Sequence, residues 1–106
     1  MAQSPGYNSP TMPETILALN PDPSKSPARI EKAKYEAIRA AVLAALKERG
    51  EIAFKDLRDA VADHLSEPFD GSVSWYTTTV KLDLEARGLI ERIPDRTPQH
   101  LRLITR

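Results

Sequence analysis

The stretch S-W-Y-T-T-T-V-K-L-D-L-E-A-R-G-L-I-E-R, Ser74 to Arg92, decides the fold. Its spacing predicts one amphipathic helix, stopped by a glycine and followed by a short strand. At 3.6 residues per turn, Val73, Thr77, Val80 and Leu84 share a face, which we take as inward. Ser72 or Ser74 supplies a cap oxygen for the first turn. Gly88, after Arg87, can take the left-handed conformation that ends a helix without a Cβ clash. Trp75, Thr78, Thr79, Leu82 and Ala86 fall on the opposite face. A tryptophan and a leucine seven residues apart are unusual choices for solvent, so this face is expected to be covered.

Working outward, the segments on either side read as support for that helix. Upstream, Phe54 to Leu65 forms a second helix with Phe54, Leu57, Val61 and Leu65 on one face and Asp56, Asp59 and Asp63 on the other. The connector Ser66–Gly71 is longer than a tight helix-turn-helix turn, and Phe69 is expected to anchor it. Before that, Ser26-Pro27 opens the longest helix, which runs to Arg49 and stops at Gly50, with Tyr35, Ile38, Val42, Ala45 and Leu46 as its buried stripe. Ile30 and Leu43 fall off the stripe and hint at a second contact surface. Glu51-Ile-Ala53 is long enough only for a small strand or a linker. Downstream, Leu89–Ile93 and His100–Thr105 read as two strands joined by the polar loop Pro94–Gln99, a hairpin with Arg96 near its tip.

Residues 1–26 form a separate, proline-rich arm, with prolines at 5, 10, 13, 21 and 23. Within it, Thr11-Met-Pro-Glu14 has capping-box spacing ahead of Ile16, Leu17 and Leu19, which predicts a short helix over 12–19. An extended segment through Asn20–Pro23 follows. A free tail is the alternative, and the apolar Ile16–Leu19 favours docking.

Helix, short strand, helix, helix and hairpin is the order of a winged helix, so the expected fold is α+β: a winged helix-turn-helix with a three-helix core, a two-stranded β-hairpin wing and an N-terminal arm. L-E-A-R-G-L-I-E-R (Leu84–Arg92) resembles the end of the recognition helix and the start of the wing in many bacterial winged-helix regulators. The longer W-Y-T-T-T-V-K-L-D-L-E-A-R-G (Trp75–Gly88), with L-N-P (Leu19–Pro21) and K-Y-E-A-I-R (Lys34–Arg39), resembles a family of small uncharacterised bacterial proteins of this fold. That resemblance implies a fold and no activity. The expected division is an arm over 1–26 and a winged-helix domain over 27–106.

Composition narrows the function. A chain of 106 residues fits one domain. Its 15 Lys and Arg balance 15 Asp and Glu, so no global field attracts nucleic acid or an anionic membrane. Without cysteine there is no disulfide framework, thiol catalysis or thiolate metal site. With only His64 and His100, no metal or other cofactor is expected. No apolar run spans a bilayer and no signal pattern opens the sequence, so a cytoplasmic protein is the expectation. No phosphate loop or nucleophile elbow is present, and His64 beside Asp63 reads as a surface histidine, so an enzyme is not expected.

Two functional classes remain. A winged helix that binds double-stranded DNA as a transcriptional regulator sets its third helix in the major groove and its wing on the backbone. Ser74, Trp75, Thr78, Thr79 and Lys81 are then the candidate groove residues, and Arg96, Gln99 and Arg102 the candidate wing contacts. The other class is a protein-interaction module that binds no DNA and pairs with a partner or a second copy through Trp75 and Leu82. For the threonines, a plain polar helix face is the bland alternative.

Overall fold

The computed structural model describes residues 14–104. Three helices pack around one core: α1 (Lys32–Arg49), α2 (Phe54–Asp63) and α3 (Val73–Ala86). Two small antiparallel sheets flank them, β1 (Thr15–Ala18) with β2 (Ala28–Glu31), and β3 (Glu51–Ala53), β4 (Ile90–Arg92) and β5 (His100–Leu103) in the order β3-β5-β4. The domain is therefore a small α+β unit, in an element order compatible with the expected winged helix.

Each helix forms for a readable reason. In α1 the buried residues Tyr35, Ile38, Ala41, Val42, Ala45 and Leu46 recur at helical spacing, and Gly50, at φ 85°, ends the helix with its N–H on the Leu46 carbonyl. Helix α2 buries Leu57, Ala60 and Val61 and ends at Asp63, two residues before the expected Leu65. Helix α3 is capped by the Ser72 hydroxyl, which accepts from the Trp75 N–H at 3.0 Å. At its far end Gly88 N–H reaches the Glu85 carbonyl and Leu89 N–H the Leu84 carbonyl, a paired closure around a left-handed glycine at φ 76°. Thr77, Val80 and Leu84 are buried and Val73 half-buried, so the inward face of α3 is the one its periodicity predicts.

Two segments depart from expectation. The helix expected over 12–19 is instead strand β1, and Ala28–Glu31, expected as the first turn of the long helix, is strand β2. Residues 12 and 13, and the Thr11 cap proposed for that helix, lie outside the described residues. The register pairs Ile16 with Ile30 and Ala18 with Ala28. All four turn toward the core, while Leu17 and Arg29 turn out, which is the two-residue period of a half-buried ladder. A four-residue apolar run fits either period, and here the long-range pairing wins. The connection is closed by side-chain turns: the Asn20 side chain accepts from Asp22 N–H, and Asp22 accepts from Ser24 N–H and its hydroxyl, each within 2.9 Å. Those bonds hold the Asp22 carboxyl below its ordinary pKa. Ile30 is thus a core residue, and it supplies no second contact surface.

The sheet at the C-terminal hairpin also has more than the expected two strands. β3 adds to the hairpin by pairing with β5, Ile52 against Leu101. Ile52, Ile90 and Leu101 seal the sheet onto the helices. Thr105, expected as the end of the last strand, lies outside the described residues.

Candidate interaction face

Helix α3 carries the side chains singled out for function, and its two ends differ. At the C-terminal end Asp83 is fully buried. Its carboxylate accepts the Leu19 N–H at 2.8 Å, the Arg87 Nε at 2.8 and 2.9 Å, and the Tyr35 hydroxyl in a short bond. Arg87 also donates to the Leu17 carbonyl at 3.3 Å. One carboxylate thus ties β1 and its exit to α1 and α3, and Ala18 is buried beside it. A buried carboxylate needs such partners, because its desolvation is costly unless it is paired and hydrogen-bonded. Burial, with Asp83 adjacent, raises the Tyr35 phenol above its ordinary pKa, and the bond Arg87 donates to Asp83 raises Arg87 as well.

This cluster went unread as a unit in the sequence. Its signal was there: Asp83 stands three residues after inward Val80, an acid on a buried helical face, with Arg87 one turn on. Leu19, Tyr35, Asp83 and Arg87 all lie within the three strings that carry the family resemblance.

Lys81, expected as a groove residue, is 3 % exposed and lies in the seam toward α2. Its Nζ is 3.0 Å from Glu85 Oε1, an ion pair by distance though short of hydrogen-bond geometry, and 4.9 Å from the Phe54 ring centre. An ammonium held between a carboxylate and a ring face is not presented to a ligand. Lys81 follows Val80, on the edge of the buried stripe, and its long stem carries the charge inward to Glu85.

The arginines of the β4–β5 hairpin are paired as well. Arg96 bonds Glu51, Arg102 Nε lies 2.8 Å from Glu91, and Arg92 Nε lies 3.3 Å from the second oxygen of Glu85. Arg96 holds the Glu51 carboxyl below its ordinary pKa. Gln99 is half-buried; its backbone carbonyl accepts the Phe54 N–H at 2.8 Å, and its side-chain oxygen has no protein partner.

The N-terminal end of α3 is open. Ser74 and Thr78 are exposed, and Thr79 is half-buried. Trp75 is 49 % exposed and Leu17 is 42 % exposed, the large apolar side chains left in solvent among the described residues. Leu82 shares a shallow hollow with Asn20, Pro21, Asp22, Lys25 and Arg92 and is half-buried. The pairing of Trp75 with Leu82 expected from sequence is thus split, one residue in the open and one beside the hairpin loop.

Trp75 does not stand alone. It meets Tyr76 edge-to-face at 4.9 Å, and Tyr76 meets Phe69 at 5.1 Å. Gly71, at φ 134°, permits this contact, since a Cβ there would lie 3.2 Å from the Tyr76 ring. Phe69, anchored on the core as expected, also lines a groove of about 600 Å³ between α1 and the α2–α3 connector. Its floor is Ala33, Ala37, Ala40 and Ala44 of α1, with Leu65 opposite. The i, i+4, i+7, i+11 spacing of those alanines is that of one helix face. His64 lies at one end, its Nδ1 2.9 Å from the Ala60 carbonyl and its Nε2 3.3 Å from Glu48.

Comparison with known families places the chain. A family of unknown function, DUF6958, matches residues 15–101. The chain belongs to that family. The match begins with β1, so it takes in the hairpin as well as the three helices. No curated protein and no solved structure matches the chain. Among the described residues no helix is long and apolar enough to cross a membrane, and no cluster of His, Asp and Glu is arranged to hold a metal ion.

Proposed function

We propose that this chain is a winged-helix protein-interaction module whose docking face is the Trp75 end of α3 together with the adjoining α1 groove. The observation that carries the reading is the aromatic chain Phe69–Tyr76–Trp75, which runs from the groove to an exposed tryptophan. Aromatic anchors in shallow apolar surroundings are what interface centres use. Paired cations at Lys81, Arg92, Arg96 and Arg102 lend support, because counterion release from phosphate needs free positive charge. Selection of displayed peptides on the full chain tests this. Ligands are expected to be enriched, and Trp75→Ala is expected to cut their capture by about tenfold or more. A selection that enriches nothing, with salt-sensitive retention of mixed-sequence duplex DNA, would overturn it.

DNA binding in transcriptional regulation is the second reading. It is favoured by the element order and by the open Ser74, Trp75 and Thr78 on the first turns of α3. On that reading duplex affinity falls steeply between two salt concentrations, and Arg96→Ala or Arg102→Ala each lowers the log–log slope by about one.

A further inference from the structure

The groove between α1 and the α2–α3 connector has a chemistry that selects its occupant. The inference rests on the interaction-module reading. The groove is apolar along its floor and negative at its rim. Ala33, Ala37, Ala40 and Ala44 leave the α1 surface bare, and Leu65, Pro68 and Phe69 form the facing wall. Glu31, Glu67 and Asp70 line it with a single ammonium, Lys34. That ammonium is engaged: its Nζ lies 3.6 Å from Glu31, 4.0 Å from Asp70 and 5.7 Å from the Tyr76 ring centre. At the other end of the groove Glu48 lies 3.3 Å from His64 and adds a carboxylate there.

We infer that the groove binds an amphipathic helix from a partner protein, with an apolar stripe on the alanines and Lys or Arg on both flanks. The helical form follows from the floor. From Ala33 to Ala44 the stripe runs about 17 Å, three turns of helix at 1.5 Å per residue. Side chains this small let a second helix approach to the short end of the usual 8–10 Å range. Apart from Glu31, the lining residues belong to α1 or to the connector, so no strand edge offers the ladder of bonds an extended peptide needs. The flanking cations follow from the rim, where three carboxylates share one ammonium, and that excess of negative charge favours positive partners and disfavours negative ones.

Two peptides of about 18 residues, long enough to form isolated helices, test this on the full chain. They share one leucine stripe and carry either Lys or Glu on the flanks. Amide NMR spectra are expected to shift at Ala37, Ala40, Ala44 and Phe69 with the Lys peptide. It should bind about tenfold more tightly than the Glu peptide at low ionic strength, with the gap closing as salt screens it. Ala40→Arg, at an exposed position, should abolish binding, and Glu67→Lys with Asp70→Lys should turn the preference toward the Glu peptide. Equal binding of both peptides at the groove would overturn the charge inference while leaving the interaction module standing. Shifts confined to residues outside the groove, or none, would overturn the site. A dimer in sedimentation that Ala40→Arg dissociates would make a second copy the occupant, and tighter peptide binding after removal of residues 1–13 would make it the chain's own leader; either outcome overturns the inference.

Discussion

One end of α3 is closed and the other is open. At the closed end Asp83 meets Leu19, Tyr35 and Arg87, Lys81 meets Glu85, and β1 lies alongside. At the open end Trp75 stands half in solvent. The closed end is costly to break, because removing any one partner there would strand a buried charge. The open end leaves apolar surface unburied, which folding alone does not favour. The proposed docking face lies at the open end, so substitutions at the two ends should separate stability from binding.

The largest effect is expected at the centre of the closed end. Asp83→Ala leaves the Tyr35 hydroxyl, Arg87 and the Leu19 N–H without their acceptor, and should cost about 3–5 kcal/mol in denaturant unfolding. Hydrogen exchange at Leu19 should rise at the same time, because that amide loses its bond. A cost under about 1 kcal/mol would mean that the hairpin is held by apolar contact instead.

Next comes the contrast of two leucines two positions apart. Leu84→Ala opens a cavity in the core and should cost about 2–5 kcal/mol. Leu82→Ala, at a half-buried site beside the Asn20–Lys25 loop, should cost clearly less. Equal costs in thermal melts would show that the loop seals Leu82 as tightly as the core seals Leu84.

Tyr35→Phe is expected to cost about 1.5–3 kcal/mol, the range for a hydrogen bond to a charged group. It also carries a pH signature. The folded state raises the Tyr35 pKa, so the stabilisation is complete below the ordinary phenol value and is lost as pH climbs through the raised one. Unfolding free energy should therefore decline above about pH 10, and the decline should flatten in the phenylalanine variant. An unchanged alkaline slope would remove Tyr35 from the account.

The smallest stability change belongs to the open end. Trp75→Ala should shift stability by about 0.5 kcal/mol or less, as an exposed site does, while reducing ligand capture. A large loss of stability would instead make the aromatic chain part of the core, and the contrast between the two ends would fail.

Local periodicity by itself determined the three helices, a serine cap at Ser72 or Ser74, the Gly50 and Gly88 stops, and the inward face of α3. Those features depend on residues a few positions apart, where backbone sterics and burial period agree. Tertiary structure alone decided three others. Thr15–Ala18 and Ala28–Glu31 are too short for period to separate helix from strand, and only their pairing across the Asn20–Lys25 turn settles them. Glu51–Ala53 becomes a strand because β5, some 50 residues later, presents an edge. The charges at Lys81, Arg92, Arg96 and Arg102 look available in the sequence and are matched by Glu85, Glu91 and Glu51 in space. A side chain long enough to reach across elements meets a partner that sequence spacing does not name, and with it went most of the free positive charge expected of a DNA-facing surface.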